Sequence, residues 1–384
     1  EEVESDQGKE EQVSISRESD KEETEPADVD VWHALDERII PMQKLQEQRD
    51  RAKSYVAVWH VDDDRFVQLG TDLDETVVLL NGQRHATETD RKSYIFDSMF
   101  GRRWFDVDLI DVATGERTRV VDRVRYFSGG SATGEHLLYF KDDNHTAYEI
   151  ATGEHVDLTS SLPANFVNHD YDYPVEQKPS WGLAGWAEND EAVLLYDRYD
   201  IWSVNPDGDG SIRLTNGAED EIRYRYTRLD PEQSAISLDA PLYLSMFGQW
   251  TKMSGYARLG AKGEDRGLTR LVWLNASVGR LIKATDVDQF GYVIQDFDDS
   301  PDYFVGPDLS QAVQITKTNP YQADFAWGYS ELIDYSCEFG KRVQGALFYP
   351  AGYAPGQEYP MITYVYERLS QSVHSYSVPT ERSP

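Results

Sequence analysis

One cysteine in 384 residues, Cys337, excludes an intramolecular disulfide and leaves the redox compartment undetermined. It lies in an apolar stretch and reads as a small core residue. The eight histidines are scattered, read mostly as surface residues, and form neither H-E-x-x-H nor a cluster with thiols, so no zinc site is expected. Basic residues are scarce: 37 Lys and Arg stand against 69 Asp and Glu, a formal net charge of -32. Phosphate neutralisation needs clustered cations, so a nucleic-acid partner is excluded. The acidic excess persists beyond the N-terminus and raises a high-salt habitat, where screening tolerates self-repulsion. No apolar run approaches the length of a membrane span. A basic n-region, an apolar h-region and an initiator Met are all missing at the start, so no secretory signal lies in these residues. Both ends read as cuts in a longer protein, for which a periplasmic or extracellular location stays open. Also missing is G-x-S-x-G: GGSATG at 129–134 has the wrong spacing and WGYSEL at 327–332 lacks the second Gly, so no serine is nominated as a nucleophile.

What is present is aromatic and repetitive. The 24 Tyr and 9 Trp suit strands whose broad side chains stack between sheets. Residues 185–215, GWAENDEAVLLYDRYDIWSVNPDGDGSIRLT, read as a strand–turn–strand–turn–strand unit. Ala192 to Tyr196 is a short apolar run, Asp200 to Val204 alternates, and Asn205 to Gly210 supplies the residues a tight reversal needs before Ser211 to Leu214. The same outline recurs at 56–69, 107–121, 146–159 and 302–316, and more loosely at 254–273, with the second strand ending near Leu-Thr or Ile-Thr. Spacings of roughly 40 to 55 residues are those of propeller blades, and a unit that cannot bury both its faces must pack on its copies. The competing arrangement is a set of unrelated hairpins in a β-sandwich.

Residues 1–30 hold 13 acidic and 3 basic residues and almost nothing large and apolar, the composition of a disordered segment or exposed acidic loop. From Val31 the sparse apolar spacing fits a solvated helix or loop before the first strand, an excursion on the propeller rim. Residues 161–186 make a long connection with three prolines, placed where long propeller loops meet ligands. Asn205, Asp207, Asp209 and Gly210 imitate half of a calcium loop, but Asn216 stands where the closing Glu is required, so a plain hairpin turn is expected. Past Pro320 the repeat fades, and Leu332 to Tyr335, Val343 to Tyr349 and Met361 to Tyr366 read as three strands outside it.

Those late strands carry a family pattern. GKRVQGALFYPAGYAPGQEYPMITYVYE, 340–367, resembles the link between propeller and catalytic domain in the prolyl oligopeptidase family of serine peptidases, dipeptidyl peptidases included. Gly340, Gly345, Leu347, Pro350, Tyr359, Pro360, Val365 and Tyr366 hold the pattern's positions, and Glu367 stands where the family commonly has Gly. The resemblance implies a mostly β chain: a β-propeller over 31–330 of about six blade-like units, then over 331–384 a linker and the first strands of a truncated α/β-hydrolase domain. It implies a serine-type peptidase acting on short peptides that the propeller admits, with no cofactor or metal, and with association of like copies left open. By position, Tyr366 would donate its hydroxyl to the oxyanion. The Ser, Asp and His of the triad would fall beyond Pro384, so this segment alone is expected to be inactive. A non-catalytic propeller binding a protein or glycan partner is the rival reading.

Overall fold

A computed structural model describes residues 29–33, 36–263, 266–366 and 368–378. The expectation for the acidic residues 1–30 therefore lies, apart from Val29 and Asp30, outside the described residues. Two compact units divide between Ala52 and Lys53. In the first, helix α1 (Ile40–Ala52) buries no residue, and ion pairs Arg38–Asp50 (3.0 Å) and Lys44–Asp30 (2.7 Å) flank it. This is the solvated helix that its sparse apolar residues predict.

The second unit is mostly β. A hairpin comes first, β1 (Ala57–His60) and β2 (Arg65–Gln68). Five four-stranded antiparallel sheets follow in chain order. The first holds β3 (Glu75–Leu79), β4 (His85–Asp90), β5 (Phe105–Asp111) and β6 (Arg117–Val124); the second holds β7 (Tyr126–Gly130), β8 (His136–Lys141), β9 (Asn144–Glu149) and β10 (Glu154–Asp157). The third holds β11 (Leu183–Trp186), β12 (Val193–Tyr196), β13 (Ile201–Val204) and β14 (Ser211–Arg213). The fourth holds β15 (Ile222–Tyr226), β16 (Leu242–Gly248), β17 (Ser254–Leu259) and β18 (Leu268–Leu274), and the fifth β19 (Ser277–Lys283), β20 (Phe290–Asp296), β21 (Asp299–Gly306) and β22 (Val313–Gln314). A second hairpin, β23 (Tyr329–Ser336) and β24 (Arg342–Tyr349), ends the strands.

Each sheet is a meander, and each packs on the next. Strand β12 shows how: all four of its residues are buried, because alternate side chains enter different cores. Val193 and Leu195, with Trp202 and Val204, pack on Leu138, Phe140 and Ala147 of the second sheet. Leu194, Tyr196 and Ile201 pack on Leu244, Met246 and Leu259 of the fourth. Equivalent cores join first to second sheet through Val107, Val124, Leu137 and Tyr139, and fourth to fifth through Tyr256, Val272, Phe290 and Tyr292. In a two-layer sandwich a sheet buries one face only, whereas sheets buried on both faces in serial order make a propeller-like stack. That rules the sandwich out for these sheets.

Five of the six copies of the sequence repeat are β1–β2 and the last two strands of the first, second, fourth and fifth four-stranded sheets; the sixth, 185–215, takes in the end of β11 and β12 to β14 of the third. Their Leu-Thr and Ile-Thr endings have a physical basis. In the third sheet the Thr215 hydroxyl donates to Asp200 (2.7 Å) and accepts from the Ile201 N–H (3.1 Å), while Leu214 N–H reaches the Ile201 carbonyl (2.8 Å). Thr159 repeats this with Asn144 and His145, and Thr316 with Asp302 and Tyr303. The threonine therefore closes the entry of the third strand against the end of the fourth, satisfying groups that would otherwise be buried unpaired. Hairpin β1–β2 packs by Val58 and Val67 on Leu69, Ala86 and Ile110, and it lacks the first two strands of a sheet among the described residues.

Three expectations need correction. Met361 to Tyr366 is not a strand: Ile362 is 95% and Val365 86% exposed, and β23–β24 pair only with each other, so an apolar run that reads as a strand has no ladder to join. Cys337 lies just past β23 at the hairpin turn, its N–H on the Lys341 carbonyl, and is half-buried rather than core. The histidines are not mostly superficial, since His145 and His374 are buried and His60, His85 and His136 half-buried. At Asn205–Gly210 the turn closes on itself, Asn205 N–H to the Gly210 carbonyl (2.9 Å) and Asp209 N–H to Asp207 (2.9 Å), as a plain hairpin turn does.

Candidate functional site

Strand β15 reads IRYRY, and its alternation divides the strand by chemistry. Ile222 and Tyr224 enter the core shared with the third sheet; Arg223 and Arg225 take the opposite face, opposite Phe247 and Ser245 of β16. There they line a cavity of about 240 Å³ together with Lys252, from the turn between β16 and β17. The tail of the chain forms another wall. Val373 is buried, its carbonyl accepts from Ser330 Oγ (2.7 Å), and His374 Nδ1 lies 2.9 Å from Asp296 Oδ1 at the end of β20. Tyr376 stacks on Trp327 at 5.7 Å, and Arg368 pairs with Asp170 at 2.8 Å. These anchors place Gln371, His374 and Ser375 over the cavity.

None of the three cations is ion-paired among the described residues. Arg225 serves main-chain carbonyls, those of Tyr224 (2.7 Å), Asp197 (2.9 Å) and Arg198 (3.3 Å), and lies over the Tyr196 ring. Burial, and next the charge of Arg223, bring its pKa down to about 10. Lys252 is buried, donates to the Gln249 carbonyl, and is lowered by burial despite Asp334 nearby. Arg223 lies over the Phe247 ring at 5.3 Å and has no hydrogen-bond acceptor or close ion pair among the described residues, while the charge of Asp170 acts on it from the neighbouring cavity. Its side chain is open to solvent while the surrounding walls lower its pKa, so it can still gain from an anion.

A second cavity, about 290 Å³, shares Arg223 and Gln371 with the first and is bordered by Tyr171, Tyr173 and Trp181, by the carboxylates of Asp170 and Asp172, and by Arg198 and Arg368. Burial would raise the pKa of Asp170, but Arg368 and Arg198 outweigh it and hold the carboxylate below its usual range. Asp172 is exposed, and its charge acts on Arg368. Most of this lining comes from the long 161–186 connection, which the sequence places at a ligand-facing end. A third cavity, about 470 Å³, mixes Arg123, Lys141 and Lys178 with Asp142, Asp143 and Glu176 and so selects neither sign of charge.

Tyr366 lies apart from any such grouping in its partners: it is 63% exposed, at the end of an irregular stretch, with no hydrogen bond among the described residues. The following Glu367 lies outside them. Both serines of the failed elbow motifs have structural duties. Ser330 holds the C-terminal segment, and Ser131 accepts from the N–H groups of Glu135 and His136, each at 3.1 Å. Ser131 does lie beside His136 and Asp190, but it is 1% exposed, and Asp190 also accepts from Thr133 and from His136 Nδ1 (3.3 Å). This grouping ties the second sheet to the third and leaves no room for a substrate. The Arg223, Arg225 and Lys252 cluster is not evident in the sequence; its one signal is two arginines a single residue apart on a strand.

No family model and no curated protein matches this chain. Among solved structures it is similar to a candidate dipeptidyl aminopeptidase IV of Bacteroides ovatus (12% identity, TM-score 0.47), covering 80% of this chain and 48% of that one. It is also similar to oligopeptidase B of Leishmania major (10%, TM-score 0.42), covering 81% and 42%, and to an oligogalacturonate lyase in complex with manganese (12%, TM-score 0.37), covering 78% and 83%. The chain thus spans about half the length of the two peptidases. Likeness at these scores is too loose to assign a fold or an activity.

Proposed function

We propose that this chain is the propeller-containing portion of a serine-type peptidase similar to the prolyl oligopeptidase family. In this reading the sheets belong to a propeller spanning 31–330, and 331–384 are the linker and opening part of an α/β-hydrolase domain whose nucleophile lies outside these residues. The observation that carries it is the serial stack of double-faced sheets leading into hairpin β23–β24, where Gly340, Gly345, Leu347 and Pro350 keep the family's link pattern. The propeller would restrict access to short or flexible peptides. Tyr366 would act as an oxyanion donor once the catalytic domain orders it, because a preorganised O–H aimed at developing charge stabilises a tetrahedral intermediate.

The test extends the coding sequence. A downstream G-x-S-x-G followed by Asp and His, and a longer product that cleaves prolyl or alanyl dipeptide anilides until a serine-directed phosphonate blocks it, are the expected results. Residues 1–384 alone should release no chromophore. Phosphonate-sensitive turnover by that segment would show that a nucleophile within it had been overlooked. A downstream sequence without the elbow, giving a product the phosphonate does not label, would leave the non-catalytic propeller that binds a protein or glycan partner.

A further inference from the structure

In a chain of net charge -32, a cavity bordered by three cations and no carboxylate is a local reversal of sign. Such a reversal gathers positive potential in a recess and favours a small anion from solution. Arg223 is the available group: among the described residues no acceptor occupies its guanidinium, whose planar fork of donors matches a carboxylate's two oxygens. Arg225 and Lys252 add charge behind it while their own hydrogen bonds hold them in place.

The size of the cavity says what part of a ligand it takes. At about 240 Å³ it falls below the roughly 300–1,000 Å³ of pockets that enclose a whole small ligand, so it suits the end of a chain molecule. The rest of that molecule would continue past Arg223 into the neighbouring cavity, over Tyr171, Tyr173 and Trp181. There Arg198 and Arg368 are already held by Asp170, with Asp172 acting on Arg368 as well, so a ligand bearing a carboxylate on every unit, such as an acidic oligosaccharide, would meet arginines whose charge is already balanced. One terminal carboxylate at Arg223, preceded by uncharged residues, needs no second cation.

We propose that Arg223, supported by Arg225 and Lys252, binds the C-terminal carboxylate of a short peptide whose preceding residues lie along the aromatic wall of 171–181. This rests on the reading of the chain as a peptidase propeller, and it adds which end of the peptide the propeller holds. The basic cavity thereby favours peptides with a free C-terminus over internal segments of long chains.

The experiment is calorimetric titration of the 1–384 chain, at low salt and near neutral pH, with alanyl-alanyl-phenylalanine as the free acid, with its C-terminal amide, and with digalacturonate. The acid should bind on the order of 10- to 100-fold more tightly than the amide, the range of a charge-assisted contact. R223Q should erase that preference, R223K should keep part of it, and far-UV dichroism should be unchanged because Arg223 lies at the surface. Equal binding of acid and amide would overturn the carboxylate site while leaving the peptide reading intact. Binding of digalacturonate but of neither peptide would overturn both. A preference for the acid that survives R223Q would refute the assignment to Arg223, and no binding by any of the three would refute the site.

Discussion

His145, on β9, is 1% exposed, and neither ring nitrogen has a hydrogen-bond partner among the described residues. Its ring lies between aromatic neighbours, 4.8 Å from Phe140 and 6.1 Å from Phe166, and its main chain is held by Thr159. Burial alone lowers its pKa from 6.5 to about 3. The sign follows from which state takes up the proton. Above about pH 6.5 both folded and unfolded chains carry a neutral imidazole; below it the unfolded chain protonates and the folded one does not, so stability falls as pH drops towards the folded value. At pH ~4.5 the loss spans about two pH units, or about 3 kcal/mol, at roughly 1.4 kcal/mol each. The perturbation is H145L, which fills a similar volume and cannot titrate. Urea unfolding followed by tryptophan fluorescence at a series of pH values should show wild type losing about 3 kcal/mol relative to the variant between pH ~8 and ~4.5. Carboxylates common to both proteins cancel in the difference. At pH ~8 the variant should match or exceed wild type, because two unpaired nitrogens have been removed from the core. Parallel stability curves, or an imidazole in the folded protein titrating near its ordinary value, would refute the argument.

T215V should cost about 1–3 kcal/mol, since it leaves the Ile201 N–H and one oxygen of the fully buried Asp200 short of a partner; T152V, at an exposed turn, should leave stability within about 0.5 kcal/mol of wild type. In hydrogen exchange, amides of Met361 to Tyr366 should exchange at once and those of Val343 to Tyr349 faster than Ala192 to Val204; equal protection would mean that the C-terminal strands are integrated with the stack. In a longer, active enzyme, Y366F should lower kcat by about 10²- to 10³-fold with KM nearly unchanged, and an unchanged kcat in a folded protein would remove the oxyanion role.

The paired strands were legible where one local device repeats. Leu158-Thr159, Leu214-Thr215 and Ile315-Thr316 each mark the end of a hairpin because the threonine hydroxyl must reach back 14 or 15 residues to an Asn or Asp, a constraint that preserves spacing even when the letters between change. The first strands of the sheets were less legible. Strand β11 is Leu-Ala-Gly-Trp with a shifted register between Leu183 and Gly185, and β7 ends in two glycines, so neither shows clean alternation. The apolar run Met361 to Tyr366 misled for the opposite reason: its composition is that of a buried strand, but composition does not supply a neighbouring ladder. The cationic cavity lay further from view. Arg223 and Arg225 are near in sequence, yet Lys252 arrives from a turn with φ of 56°, and the wall containing His374 comes from the far end of the chain, tied down by Asp296 and Ser330. A repeat is written in spacing along the chain, whereas a binding cavity is made where distant segments are brought to one place. The arginine pair at 223 and 225 becomes informative once the buried partners Ile222 and Tyr224 fix which way the strand faces.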